Sequence, residues 1–552
     1  MARSIALMTL LFLITLFSLY GQILDHYPIH SFEVETLDRF FLEIGQSPPF
    51  YSRPYSNYQY LHYLRRIENR KNELSAHNRA LLNKLLQRLS RQENTSSFFI
   101  PVVESNVRLQ YQNEEITDFD KYLYYRKSLD YAPLINLGFT AGLPYFIMHA
   151  ENDLRRDFFK TFRPANYTNL PVGSPFVKEF DFNFPTRCYL KFGGSYLDLL
   201  IGREQLKWGP GYRSSLVISD SPPYYDMLHL SYFSDFFKAS FFFAVLESYL
   251  TTDELAIQVA MEDEGSVSFG KDAADQYKTL TGHRFEFNFF NRVLFGISDI
   301  IVIGGRAPEL NEITPLMYLH NVYGENYSNV IFGFDTSIVP CRNIQVYGEF
   351  AMDDIRNAYE GGESPPTSLG YLAGVYVMQG FAWGNLNFRF EWARVDPWMY
   401  NRWQPYLIFS SRKKLLSLAT ADWKSYLDFP TGYFLGGDVQ SFYFELSYDY
   451  QNTFEACLSY ELRQKGRIYL NVLDPESEFD NFVDNPSSTP TGTPVISHIV
   501  GLSGAYGLSP MVFLSGELAL GYQYNREHKP GNHGFFFEAL LNCTFKLDRG
   551  KY

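Results

Sequence analysis

The chain holds few arrangements able to make or break covalent bonds. It has no GxSxG elbow, no GxxxxGK[ST] phosphate loop and no HExxH pair, and its eleven histidines are scattered. Asp353-Asp354 and Asp253-Glu254 are paired carboxylates. Neighbours on an extended strand point to opposite faces, so neither pair suits the two carboxyls that must flank a glycosidic bond. The four cysteines, Cys188, Cys341, Cys457 and Cys543, have neither CxxC nor metal-ligand spacing. The sequence therefore predicts no catalytic residue, no metal and no cofactor. What remains is non-covalent chemistry. Arg203, Gln205, Trp208 and Tyr212 form one group, and Glu391, Arg394, Trp398, Tyr400 and Trp403 another. Flat aromatic rings that stack on sugar C–H faces, beside guanidinium, amide and carboxylate groups that bind hydroxyls, are the ingredients of polysaccharide recognition. The same side chains also build ion-pair lattices in barrel lumens and aromatic girdles at membrane interfaces.

The elements that would position these groups are strands. From about Phe98 to Leu547 the hydrophobic period is two. Phe285, Phe287 and Phe289 alternate with Arg284, Glu286 and Asn288; Leu386, Phe388, Phe390 and Trp392 with Asn387, Arg389 and Glu391; Phe442, Phe444, Leu446, Tyr448 and Tyr450 with Tyr443, Glu445, Ser447 and Asp449. One face is apolar and the other wet, over runs of about nine residues or more, the length a tilted membrane strand needs. The aromatic content, 18% of the chain, suits the interface girdles and lipid face of a barrel. The mean hydropathy of -0.21 excludes a multi-helix membrane protein. Phe535, Phe537, Ala539, Leu541, Cys543, Phe545 and Leu547 form a stripe fit for a closing strand. At about 25 residues per strand and connection, this zone predicts roughly 18 strands. The stretches Asp353–Ser368 and Asp474–Pro494 read as extracellular loops. Trp208-Gly209-Pro210-Gly211 must leave the ladder, because Pro210 lacks a donor and glycines favour a tight turn. Arg203, Gln205 and Glu391 are read as lumen-facing, with Arg394 close to Glu391.

Ahead of the strands the period is helical, from Leu37 to about Arg91. Pro48, Pro49 and Pro54 punctuate the start. Ser56 or Asn57 caps a helix bearing Leu61, Leu64 and Ile67, and Ser75 starts another bearing Leu81, Leu82, Leu85, Leu86 and Leu89. So short a stretch buries little area alone and must dock on something larger. It carries Arg65, Arg66, Arg70, Lys71, Arg79, Lys84, Arg88 and Arg91 against Glu68 and Glu73, fit either for a solvated face or for an acidic barrel lining. Arg3 followed by the apolar run Ile5 to Leu19 reads as a signal peptide cut after Gly21. The expected organisation is thus residues 1–21 signal, 22–97 helical periplasmic plug or cap, and 98–552 outer-membrane β-barrel. The net charge of -13 argues against nucleic acid as a partner.

Three segments together resemble the Wzi capsule-assembly family of outer-membrane proteins. They are Arg53-Pro54-Tyr55-Ser56, the run from Ile201-Gly202-Arg203 through Trp208-Gly209-Pro210-Gly211 to Ser219-Asp220-Ser221-Pro222-Pro223, and Phe390-Glu391-Trp392 through Pro397-Trp398-Met399-Tyr400-Asn401. The resemblance implies an 18-stranded barrel plugged or capped by its helices. It further implies a lectin-like, non-enzymatic role with capsular or extracellular polysaccharide as partner. Outer-membrane lipid and the outer-membrane assembly machinery are the other expected partners. The competing expectation is a channel for small solutes, and the helical segment discriminates: filling the lumen forbids open conduction.

Overall fold

A computed structural model describes residues 26–93, 97–113, 133–143, 145–156, 166–168, 180–181, 187–194, 196–263, 277–315, 328–355, 367–402, 404–415, 425–450, 453–470 and 489–547. The proposed signal segment and most of the two expected long loops lie outside those residues.

The strands close into a barrel with an 18-strand antiparallel wall. In chain order they run Phe98–Gln112, Ile135–Leu143, Phe146–Arg156, Cys188–Gly193, Leu197–Glu204, Tyr225–Phe233, Phe237–Val245, Lys278–Phe289, Val293–Gly304, Ser328–Cys341, Ile344–Asp354, Ser368–Phe381, Gly384–Val395, Val439–Tyr450, Phe454–Lys465, Val495–Ser509, Val512–Tyr524 and Gly534–Leu547. The apolar stripe at the end of the chain closes the cylinder by pairing with the first strand, from Glu538↔Gln112 to Leu547↔Val103. Closure leaves no unpaired edge, which a bilayer would not tolerate. The alternation sorts the faces as expected: Phe285, Phe388 and Phe444 are exposed on the outside, while Arg284, Glu286, Glu391 and Glu445 are buried within. The barrel is an integral outer-membrane protein. Tight turns, such as 290–292 and 342–343, gather at one end and long connections at the other. In such barrels the short turns are periplasmic.

Three helices, Phe32–Glu43, Asn57–Glu68 and Ala76–Glu93, occupy the short-turn end. Each begins at a serine whose hydroxyl accepts a backbone N–H three residues on: Ser31 from Val34, Ser56 from Gln59 and Ser75 from Asn78. The first helix, whose start before Leu37 the sequence reading missed, ends at Gly45. There a left-handed φ of 71° lets the N–H groups of Gly45 and Gln46 return to the carbonyls of Leu42 and Phe41. The apolar faces meet in one core with Phe50, Tyr55, Tyr60 and Tyr63, against Phe233 and Leu294 of the barrel.

The helices both cap and plug. At the mouth, the Ser47 N–H donates to the Asn291 carbonyl and the Asn343 N–H to the Leu42 carbonyl. Arg39 reaches Asp449 at 2.7 Å, and Asn78 reaches Asn385 at 2.9 Å. Between the first two helices the chain enters the lumen. Glu286 accepts the N–H of Tyr51 at 2.6 Å, the N–H of Ser52 at 3.2 Å and the Ser52 hydroxyl. The Lys238 ammonium donates to the Ser52 carbonyl at 2.6 Å. The conspicuous basic run is largely turned to solvent or to the helices themselves. Arg65, Lys71 and Lys84 are exposed, Arg70 pairs with Glu73, and Arg79 donates to the carbonyls of Lys71, Asn72 and Leu74. Arg66 donates to Gln46 of the plug at 3.4 Å and is attracted by Asp235, in the turn after the strand Tyr225–Phe233.

Candidate functional site

After the strand Leu197–Glu204 the chain turns inward instead of continuing out of the barrel. Lys207 and Trp208 form a two-residue antiparallel ribbon with Arg53 and Ser52 of the plug. The Gly209 N–H extends it to the Tyr51 carbonyl at 3.3 Å. A connection from the outer end and a segment from the inner end thus meet inside the lumen. A loop buried this way must satisfy its backbone groups, and wall carboxylates do so. Glu349 accepts the N–H groups of Gly211 and Leu216, both at 2.7 Å. Glu391 accepts those of Tyr212 at 2.5 Å and Arg213 at 3.1 Å, and the Tyr347 hydroxyl at 2.9 Å. The Arg213 guanidinium pairs with Glu461 at 2.9 Å. Gly209 is required here: its φ is 115°, and a Cβ would lie 2.4 Å from Glu349 Oε1.

One polar cavity of about 330 Å³ remains beside this loop. Glu35 and Arg39 of the plug, Tyr212 of the loop and the strands from Gly384 to Tyr524 enclose it. The Arg389 guanidinium lies 4.1 Å from the Tyr212 ring and 4.3 Å from the Tyr376 ring, and donates to Glu445 at 2.8 Å. The hydroxyls of Tyr212 and Tyr443 donate to the same carboxylate at 2.9 and 2.7 Å. Burial pushes the Tyr212 phenol well above its ordinary range, so it stays neutral and donates. Arg39 is similarly occupied by Asp449. With both guanidiniums engaged, Glu35, Glu455, Glu517, Ser459 and Ser503 complete a lining rich in hydroxyl and carboxylate acceptors.

The structure brings Tyr212 and Glu391 together and distributes the other expected residues. Arg203 has the same parity as Ile201, which is exposed on the outer face, so the expectation that it faces the lumen is wrong. It sits at the strand end, bidentate with Asp226 at 2.8 and 2.9 Å and stacked 3.8 Å from the Tyr224 ring. Arg394 likewise lies on the face opposite Glu391, 3.6 Å from Asp396 rather than beside it. Gln205 is half-buried at the inward bend, outside the cavity. Trp208 is 1% exposed and meets Phe242 edge-on at 5.1 Å, so it is a core residue and not a stacking platform. Trp398 is buried. Tyr400 is a brace, its N–H on Asp353 at 2.8 Å and its hydroxyl on the Leu216 carbonyl at 2.6 Å. Trp403 lies outside the described residues. Three of those paired acids serve the structure: Asp353 holds Tyr400, Asp354 pairs with Arg402, and Glu254 pairs with Arg412. All four cysteines are free thiols. Sequence reasoning missed Arg389, Tyr443 and Glu445 as site residues, although all three stand in the alternating runs. Their shared inward parity was the available signal.

The burial of Trp208 carries a prediction. Trp208→Ala should leave a core cavity and cost about 3–5 kcal/mol of stability, read as a lower temperature for the heat-induced mobility shift in detergent. An unchanged transition temperature would show that the indole is not a packing element.

The family description "Capsule assembly protein Wzi" matches residues 108–478. Among solved structures, the chain is similar to Wzi of Escherichia coli, described as an outer membrane protein involved in group 1 capsule assembly and a carbohydrate-binding β-barrel. The identity is 13%, over 95% of this chain and 99% of that chain, with a TM-score of 0.54. It is also similar to OccD3 of Pseudomonas aeruginosa, at 9% identity over 82% of this chain and 91% of that chain, with a TM-score of 0.39. The outer membrane channel DcaP of Acinetobacter baumannii gives 7% identity over 82% and 98%, with a TM-score of 0.34. Neither of the last two likenesses bears on function. No curated protein sequence matches.

Proposed function

This chain belongs to the Wzi capsule assembly family, which matches it over residues 108–478, and from that premise we propose that it binds and organises capsular or extracellular polysaccharide at the cell surface. The role is that of a lectin-like binder and not of a catalyst. The observation that carries the reading is the ribbon of Lys207–Trp208 with Ser52–Arg53: a lumen crossed by paired backbone is built to hold and not to pass solute. The cavity beside Tyr212 is where the closed lumen keeps hydroxyl and carboxylate groups for a ligand. Its volume of about 330 Å³ is at the small end of ligand pockets, which suits a short stretch of glycan. We assign glycan contact there to Tyr212, Glu455 and Ser459, with Arg389 and Glu445 fixing the Tyr212 ring. Gln205, Arg203 and Arg394 stand towards the outer rim, where a longer polymer would continue. Residues 1–21 serve export and 22–97 form the periplasmic plug. Outer-membrane lipid and the assembly machinery are the partners such a barrel needs.

The test is binding of the purified protein to the surface polysaccharide of its own organism. Glu455→Ala should weaken that binding about tenfold, or ~1.4 kcal/mol, with the barrel still folded by its heat-shifted mobility. No binding by the unaltered protein would reject the function; binding indifferent to Glu455→Ala would move the contact out of the cavity. The competing channel reading predicts steady single-channel currents from the full-length protein in a planar bilayer.

A further inference from the structure

The outer wall changes character halfway up two neighbouring strands. Along Lys278–Phe289 the outward positions, from the periplasmic turn, are Phe289, Phe287 and Phe285, then His283, Thr281 and Thr279. Their partners on Val293–Gly304 are Val293, Phe295 and Ile297, then Asp299, Ile301 and Ile303. That these positions face outward is fixed by their neighbours: Arg284 and Ser298 bond to each other within the lumen, and Gly282 lies under Trp208. From Phe289 to Thr279 is ten residues, which at about 3.3 Å per residue and about 40° of tilt is about 25 Å along the membrane normal, the height of the apolar band of such a barrel. His283, Thr281, Thr279 and Asp299 therefore stand at hydrocarbon depth. Ionisable groups are costly there.

Yet these polar side chains do not meet lipid. His283 is 4% exposed and Asp299 5%, with Nδ1 and Oδ2 3.3 Å apart, whereas Phe285 in the row below is 41% exposed. Ile301 and Ile303 form a small buried cluster with Val330, separate from the lumenal core. The chain after Gly304 folds back onto the outside of the wall. The Thr279 hydroxyl donates to the buried Glu312 carboxylate at 3.1 Å and the Thr281 hydroxyl to the Glu312 carbonyl at 3.4 Å. Glu312 also accepts Arg306 at 2.7 Å and the Glu309 N–H at 3.0 Å, so the carboxylate is fully engaged. On the far side of this short turn, Leu310 is 85% exposed and Ile313 37%.

We propose that the flap Arg306–Thr314 is a lipid-facing surface of the protein, with Leu310 and Ile313 seated among the acyl chains of the outer leaflet. The occupant follows from continuity: the flap begins where the exposed belt of Phe285 and Phe334 stops, and it covers the rows where that belt would otherwise turn polar. Glu312 is the clamp that holds it down.

The experiment uses the full chain with Cys188→Ala, Cys341→Ala, Cys457→Ala and Cys543→Ala, Leu310→Cys labelled with a polarity-sensitive fluorophore, reconstituted in phospholipid vesicles. The expected result is a blue-shifted emission that lipids brominated on their acyl chains quench, while a label at Leu255→Cys, on the extracellular helix Thr252–Asp263, stays unquenched. Adding Glu312→Ala should move the Leu310 label into water, losing both signals, with the heat-shifted mobility of the barrel retained. A water-like, unquenched Leu310 label in the clamped protein overturns the proposal. So does energy transfer between labels on two copies, which would make the flap a protein interface. Indifference to Glu312→Ala would overturn the clamp.

Discussion

Removing residues 32–93 should turn a silent barrel into a conducting one. In the intact chain the three helices cover the periplasmic mouth, and the segment between the first two enters the lumen to pair with Lys207 and Trp208. Those residues supply one strand of the ribbon and the partners of Glu286, Lys238 and Asp449. Without them the wall keeps all 18 strands, whose hydrogen bonds run strand to strand and owe nothing to the helices. A cylinder of that strand number leaves an aqueous channel when nothing fills it. The inward loop stays tied to Glu349 and Glu391, so the opening should be smaller than that of an empty barrel of this size. Planar-bilayer recordings of the full chain and the deleted chain make the comparison. Equal silence from both, with the deleted protein folded by its heat-shifted mobility, would mean that the inward loop seals the lumen alone.

The second large effect is expected at Arg284. Its guanidinium is bidentate to Asp335 at 2.6 and 2.9 Å and reaches Glu286 at 3.1 Å, with all three side chains buried. Glu286 is also the carboxylate that receives the plug at Tyr51 and Ser52. Arg284→Ala removes the positive charge and leaves two carboxylates facing each other without it. Breaking a buried pair by removing one partner costs about 3–5 kcal/mol, and here the loss should reach the plug through Glu286. The barrel's unfolding temperature in detergent should fall, and protease cleavage of the helices from the periplasmic side should quicken. The triple change Arg284→Met, Glu286→Gln, Asp335→Asn should recover part of the stability, because the two facing carboxylates are gone while the buried Lys238 loses Glu286 as its counter-charge and keeps the Ser52 carbonyl. Failure of the triple change to recover it would place the role of Arg284 in packing.

Much of this fold is legible in the residues. Runs such as Phe442 to Tyr450 show their two faces because bilayer and lumen demand opposite chemistry from neighbouring positions. Ser56 and Ser75 declare helix starts because a free hydroxyl is what the first turn lacks. Trp208-Gly209-Pro210-Gly211 announces a departure from the ladder, since neither Pro210 nor the conformation of Gly209 suits a strand. The direction of that departure is not local information. It depends on Glu349 and Glu391, more than a hundred residues away, being placed to receive the loop's N–H groups. Charge misled at Arg203 and Arg394, where parity pointed outward: at a strand end a charged side chain can sit on the outer face because the membrane stops there, so charge no longer marks the lumen. The aromatics failed as site markers for another reason. Trp208 and Tyr400 have the composition of a sugar platform, but only packing tells an available ring from one wedged against Phe242 or Leu216.

The ribbon inside the barrel also has a mechanical meaning. A polymer gripped at the cell exterior tugs on surface segments, and a loop anchored only at its ends would stretch and dissipate that force locally. Here the strain runs from Trp208 into Ser52 and on to the three helices below. They lie beneath the cylinder's rim and would have to be drawn through it before the outer segment came free.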